Sequence, residues 1–188
     1  MFEPDLAVEI ATTEATILSN IEQTPPASAE PELVELFARL TRATAPLEQA
    51  ETEDRIWAVW MRHARADLDQ QMNAAVAAMA ARDNDRGEQL LNAVLALAPA
   101  WAEAWNKRAT LRFLAGRARE SVLDIRKTLE LEPRHFGALA GLGQICLRAG
   151  DHESARIAFQ AALRSNPHLA SISQMLRALE TQAPRTMH

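Results

Sequence analysis

Apolar residues recur every three or four positions along most of this chain, the spacing of amphipathic helices. Leu6, Ile10, Ile17 and Ile21 predict a first helix over residues 4–22, with Pro4 suited to its first turn. Its apolar face is thin and it is rich in threonine, so it is marginal without a surface to rest on. Pro25, Pro26, Ala27, Ser28 and Ala29 read as a linker. Helix resumes near Pro31, with Leu33, Leu36, Phe37 and Leu40 on one face. Pro46 breaks that run, and a third helix is expected from about Leu47 to Arg65. Trp57, Trp60, Met61 and Ala64 form its main face, widened by Ile56 and Val59. Two tryptophans this close are worth several kcal/mol if buried, at ~25 cal/mol per Å2. This helix is therefore expected to pack on the unit that follows it.

From Leu68 to Leu169 the pattern itself repeats. Pro99, Pro133 and Pro167 stand 34 residues apart, and each interval holds two helices. The first helices are expected near 68–82, 102–115 and 136–149, and the second near 85–97, 119–131 and 153–165. Ala75, Ala109 and Gly143 coincide, a small residue where two helices must approach closely. Ala81, Ala115 and Ala149 coincide before a turn, followed by Gly116 and Gly150 in the later copies. The first copy uses Asp83, Asn84 and Asp85 instead, whose side chains turn the chain by bonding backbone. Leu91, Ile125 and Phe159 coincide as a large anchor, with Leu95, Leu129 and Leu163 one turn on. A fixed period of a few tens of residues is the signature of a solenoid. Beyond Pro167, Ile172, Met175, Leu176 and Leu179 mark a last amphipathic helix, suited to cap the stack, and Ala183 to His188 are expected to fray.

These positions carry a resemblance. The second copy has Trp105, Arg108, Ala109, Arg112, Ser121, Ile125 and Pro133; the third has Leu139, Leu142, Gly143, Cys146, Ala155, Phe159 and Pro167. They stand where the tetratricopeptide repeat (TPR) family has W-x2-L-G-x2-Y, A-x3-F and P. The first copy, with Gln71, Ala74, Ala75, Ala78, Gly87, Leu91 and Pro99, follows the pattern least. The resemblance spans about 102 of the 188 residues. It implies an all-α fold, a right-handed helix-turn-helix solenoid with helical caps, and a role in binding other proteins. It divides the chain into an acidic arm and linker (1–29), a helical hairpin (30–66), three repeats (67–168) and a capping helix (169–183). The hairpin is either a degenerate fourth repeat, since Leu40 and Trp57 lie 34 residues before Ala74 and Leu91, or an unrelated cap.

In that family the first helices of successive repeats line a concave groove that holds the partner. The resemblance places Met72, Val76, Met79, Asn106, Lys107, Thr110, Phe113, Gln144, Leu147 and Arg148 there. They make an apolar strip beside a few polar groups and two cations. Methionine and phenylalanine suit an adaptable surface for an apolar helix or extended peptide. The strip is either open to a partner or covered by the chain's own N-terminal helices. Some co-chaperones of the family clamp a C-terminal carboxylate with Lys, Asn, Asn, Lys and Arg. The matching positions here hold Met72, Val76, Lys107, Gly137 and Gly141, so binding through such a clamp is not expected.

The net charge of −5 hides an asymmetry: residues 1–38 hold eight acids and no Lys or Arg, while the other 17 acids and 20 bases balance at +3. Acidic arms are usually solvated and sometimes bind. This gives a second reading, a homo-oligomer whose arm docks in its own or a neighbour's groove near Lys107, Arg112 and Arg148. Nucleic acid is not an expected partner, because no basic face with interleaved aromatics occurs. No apolar run approaches the ~18 residues that span a bilayer. The N-terminus lacks the basic region of a secretory signal, which points to the cytoplasm, or to the periplasm if a signal was removed. Cys146 has no second cysteine to pair with and reads as a buried thiol. No two histidines stand at the i, i+4 spacing of a helical metal site, and His135 and His168 merely border inter-repeat turns. Phosphate loops, nucleophile elbows and zinc-protease motifs are missing. Asp124 and Glu130 read as a charged helix face. The expectation is a non-catalytic protein without cofactor or metal.

Overall fold

The computed structural model describes residues 4–22 and 30–182. The linker reading at 25–29 and the frayed-tail reading at 183–188 lie outside the described residues. Among the described residues there are ten helices and no strand. They are α1 (Pro4–Glu22), α2 (Pro31–Arg42), α3 (Pro46–Met61), α4 (Ala66–Ala80), α5 (Asn84–Leu97), α6 (Ala102–Leu114), α7 (Ala118–Leu131), α8 (Phe136–Ala149), α9 (His152–Ser165) and α10 (Ala170–Gln182).

The 34-residue period is written into the backbone. Arg82, Gly116 and Gly150 take φ of 61°, 77° and 80° at the three turns inside the helix pairs. The next residue's N–H, of Asp83, Arg117 or Asp151, then returns to the carbonyl of Ala78, Arg112 or Cys146. This is the left-handed helix end that glycine adopts without steric cost. In the first pair an arginine takes it, and Asp83 caps α5 by accepting from the Arg86 N–H at 3.2 Å. Asp151 caps α9 in the same way through the Ser154 N–H, at 3.0 Å.

The pairs α4–α5, α6–α7 and α8–α9 stack in order. Gly143 lets Phe159 lie flat against α8, since a Cβ there would overlap the ring. Ile172 and Leu179 of α10 close the far end. Cys146 is fully buried, and burial first, then the nearby carboxylates of Asp151 and Glu14, push its thiol up to about 12. Asp124 does not sit on a solvated face. It is buried and held by Arg108 at 2.8 and 2.9 Å and by Arg112 at 2.9 Å, while Glu130 alone of that pair is exposed. No helix among the described residues is long and apolar enough to cross a membrane.

The N-terminal helices sit elsewhere than expected. α1 lies against α7 and α9 with Leu6, Ile10, Thr13 and Ile17 buried. Glu9 pairs with Arg119 and Arg126, each at 3.1 Å, and Glu14 accepts from the Ser154 hydroxyl at 2.9 Å. The arm thus finds these arginines, and its Leu6 also borders Phe113 and Arg148 of the expected groove. Lys107 is engaged by Glu103, and Arg112 by Glu88 and Asp124.

The hairpin α2–α3 does not rest its tryptophans on the first repeat. Leu33, Leu36, Phe37, Leu40, Ile56, Val59 and Trp60 form a core completed by Phe136, at the start of α8. Trp60 stacks on His135 at 4.0 Å, and Trp57 meets Phe136 edge-on at 5.2 Å. On its family-pattern positions α4 offers Gln71, Ala74 and Ala78, whereas the start of α8 offers two rings, and aromatic pairs add to plain burial. The hairpin keeps a link to the first repeat through Met61, which packs against the cluster of Leu68, Met72 and Leu91, and at the start of α6 the Trp101 indole N–H donates to the Trp60 carbonyl at 2.8 Å. α3 also stops at Met61, before the expected Arg65, because Arg62 turns extended and Asp69 takes the His63 N–H at 2.7 Å.

Candidate functional groove

α6 and α8 face each other across an open trough backed by α7. A cavity of about 210 Å3 lies in it, lined by Asn106, Ala109, Thr110 and Phe113 of α6, Ser121 and Ile125 of α7, and Gly137, Ala138, Ala140, Gly141, Gln144 and Ile145 of α8. The floor is mainly apolar, Thr110 and Gln144 form a polar rim, and Asn106 and Ser121 are polar residues buried in the lining. No Asp, Glu, Lys or Arg is among the lining residues.

Where α6 and α8 begin, α3 closes the trough. Trp57 lies so near Gly137 that a Cβ there would be 2.6 Å from its ring. Beneath it Glu103 is fully buried and accepts from His135 Nε2 at 2.8 Å and Asn106 Nδ2 at 3.0 Å. Its other oxygen pairs with Lys107 Nζ at 2.8 Å, and that ammonium stands 5.4 Å from the Trp57 ring centre. His135 Nδ1 accepts the Ala138 N–H at 3.1 Å and so caps α8, which leaves the proton on Nε2 facing Glu103. Burial pushes the Glu103 carboxyl up, but the His135 and Lys107 donors more than offset this and hold it below the usual carboxylate range.

Of the ten expected groove residues, Asn106, Thr110, Phe113 and Gln144 line this cavity. Leu147 and Arg148 lie further along α8, with the Arg148 guanidinium 4.7 Å from the Phe113 ring centre. Lys107 belongs to the closed end. Val76 and Met79 are half-buried against the first pair's core. Met72 is not groove surface: it is fully buried with Leu68, Ala75 and Leu91, and Trp101 and Ala104 of the next pair share its cluster. There its thioether fills a core gap. The groove reading left out Trp57 and His135, whereas Glu103, Gly137 and Gly141 stand on first-helix positions that flank its ten residues. The Glu103–Lys107 pair and the glycines four residues apart on α8 are signals visible in the sequence. A larger cavity, of about 440 Å3, lies apart from the trough between α1, α2 and α9.

Helix pairs stacked with one period beside an open trough define a helical-repeat solenoid. A sequence profile described as tetratricopeptide repeat matches residues 115–170. A TPR repeat-containing protein of Rhizobium etli is 36% identical over 129 residues, 68% of this chain and 63% of that protein, so the chain spans somewhat under two thirds of that relative's length. The Sgt2 TPR domain from Aspergillus fumigatus superposes with a TM-score of 0.58 at 18% identity, over 62% of this chain and 79% of that one. The first TPR of Spaghetti (RPAP3), bound to the HSP90 peptide SRMEEVD, gives 0.56 at 14% identity, over 58% and 86%. The chain belongs to the tetratricopeptide repeat family, whose domains are protein-interaction modules.

Proposed function

We propose that this protein is a non-catalytic adaptor that holds an apolar helix or extended segment of a protein partner in the trough between α6 and α8. The observation that carries this reading is the open cavity of about 210 Å3, with its apolar floor, polar rim and uncharged lining. Apolar side chains supply the burial, and the rim orients the segment. The partner segment need not end in a carboxylate. Of the five positions a carboxylate clamp would use, Met72 is in the core, Lys107 is paired with Glu103, and Gly137 lies under Trp57.

The test is capture from the native host with immobilised full-length protein. Phe113→Asp places a charge on the apolar wall and is expected to reduce retained partner at least tenfold. Leu47→Asp, at an exposed position of α3, is the control and is expected to retain it. Circular dichroism checks that both variants keep their helix content. Full retention by a folded Phe113→Asp protein rejects the trough as the binding surface.

A further inference from the structure

The fold accounts for five of the chain's six glycines. Gly116 and Gly150 hold positive φ at turns. At Gly87, Gly137 and Gly143 a Cβ would press on Leu111 at 2.9 Å, on Trp57 at 2.6 Å, or into the Phe159 ring. Gly141 meets no such demand. It sits inside α8, and a Cβ there would touch Ile125 Cδ1 at 3.7 Å, an ordinary contact. Glycine is the poorest helix former after proline, so this one weakens α8 with no return in packing. It does lower the floor of the open cavity.

The chain itself shows how such a floor is used. Gly137 and Gly141 share a face of α8, one turn and about 6 Å apart. Trp57 fills the notch over Gly137. The notch over Gly141 is open, and its cavity of about 210 Å3 suits one large side chain better than a small-molecule site, since those run to roughly 300–1,000 Å3. One polar atom there has no partner among the described residues. Asn106, 6% exposed, gives its Nδ2 to Glu103 at 3.0 Å, which fixes the orientation of the amide. Its Oδ1 accepts no hydrogen bond among the described residues. An indole would fill the apolar notch and offer that oxygen an N–H.

We propose that the notch over Gly141 seats a tryptophan-type anchor from the protein partner, docked beside the chain's own Trp57. This rests on the trough reading above and names the chemistry of its occupant. The probe is 5-fluoroindole, titrated into the full-length protein and followed by fluorine NMR. Wild type is expected to bind saturably and Gly141→Leu at least tenfold more weakly, with its thermal midpoint at or above wild type because leucine favours the helix. The N-methylated probe, which lacks the donor, is expected to bind wild type at least threefold more weakly. Absence of saturable binding, or equal binding by folded Gly141→Leu, overturns the proposal. Equal affinity for both probes overturns the hydrogen bond to Asn106 and with it the tryptophan-type assignment. If the anchor fails while Phe113→Asp still loses the partner, the adaptor reading stands without it.

Discussion

Glu103 joins three helices through one carboxylate: Asn106 and Lys107 on α6, His135 at the cap of α8 and, through the ring stacked on His135, Trp60 of α3. Its folded pKa lies below the unfolded value of 4.5. The charged form therefore stabilises fully above about pH 4.5, and this contribution disappears as the pH falls through the lower folded value. Glu103→Gln is expected to cost about 1–3 kcal/mol at neutral pH. It should also flatten the loss of stability on acidification, measured by urea titration below about pH 4.5. An unchanged acid limb would show that Glu103 does not set it. Two glycines on α8 make a sharper pair. Gly143→Ala drives a methyl into Phe159 and is expected to destabilise by about 1–3 kcal/mol. Gly141→Ala is expected to stabilise by about 0.5–1 kcal/mol, since it meets only ordinary contact. Denaturant unfolding reads both, and equal signs would contradict the packing described here.

At the scale of elements, the repeat helices were legible because proline and turn residues punctuate them. Pro99, Pro133 and Pro167 follow the second helices, Gly116 and Gly150 end the first helices of the later pairs, and Asp83 marks the turn of the first, where the left-handed position falls on Arg82. The apolar spacing of α1 and α3 was equally plain. Which surface each would meet was not, because periodicity marks an apolar face without naming its mate. Trp57 reaches Gly137 across a long stretch of sequence, and no local pattern announces it. The site divides the same way. Asn106, Thr110, Phe113 and Gln144 follow from repeat register, while the closed end depends on where α3 lands. Met72 shows that register alone cannot tell groove surface from core. The seating of α1 gives a prediction at this scale. Ile10 is 1% exposed against α7 and α9. Ile10→Asp is expected to release α1, so that limited proteolysis read by mass spectrometry cuts within residues 4–22 faster than wild type. An unchanged cleavage map would mean that α1 is held by something other than this apolar face.

For the whole molecule, the N-terminal helices clasp repeats that are distant in sequence. A solenoid's units ordinarily contact their neighbours alone, and such arrays can lose their ends first. Here α1 bridges α7 and α9 while α3 bridges α6 and the start of α8. Unfolding is therefore expected as a single transition, with tryptophan fluorescence and far-ultraviolet circular dichroism coinciding in urea. Trp57→Ala, which strips the ring from Gly137, is expected to separate the two curves. The clasp also sets an order of events during synthesis. A ribosome makes Glu14 long before Ser154, its partner 140 residues later. The first helix must wait, greasy side bare, until α9 has emerged. A chain made only as far as α7 is thus stickier than one that includes α9, and the appearance of the last helix pair, not of any earlier one, lets α1 close.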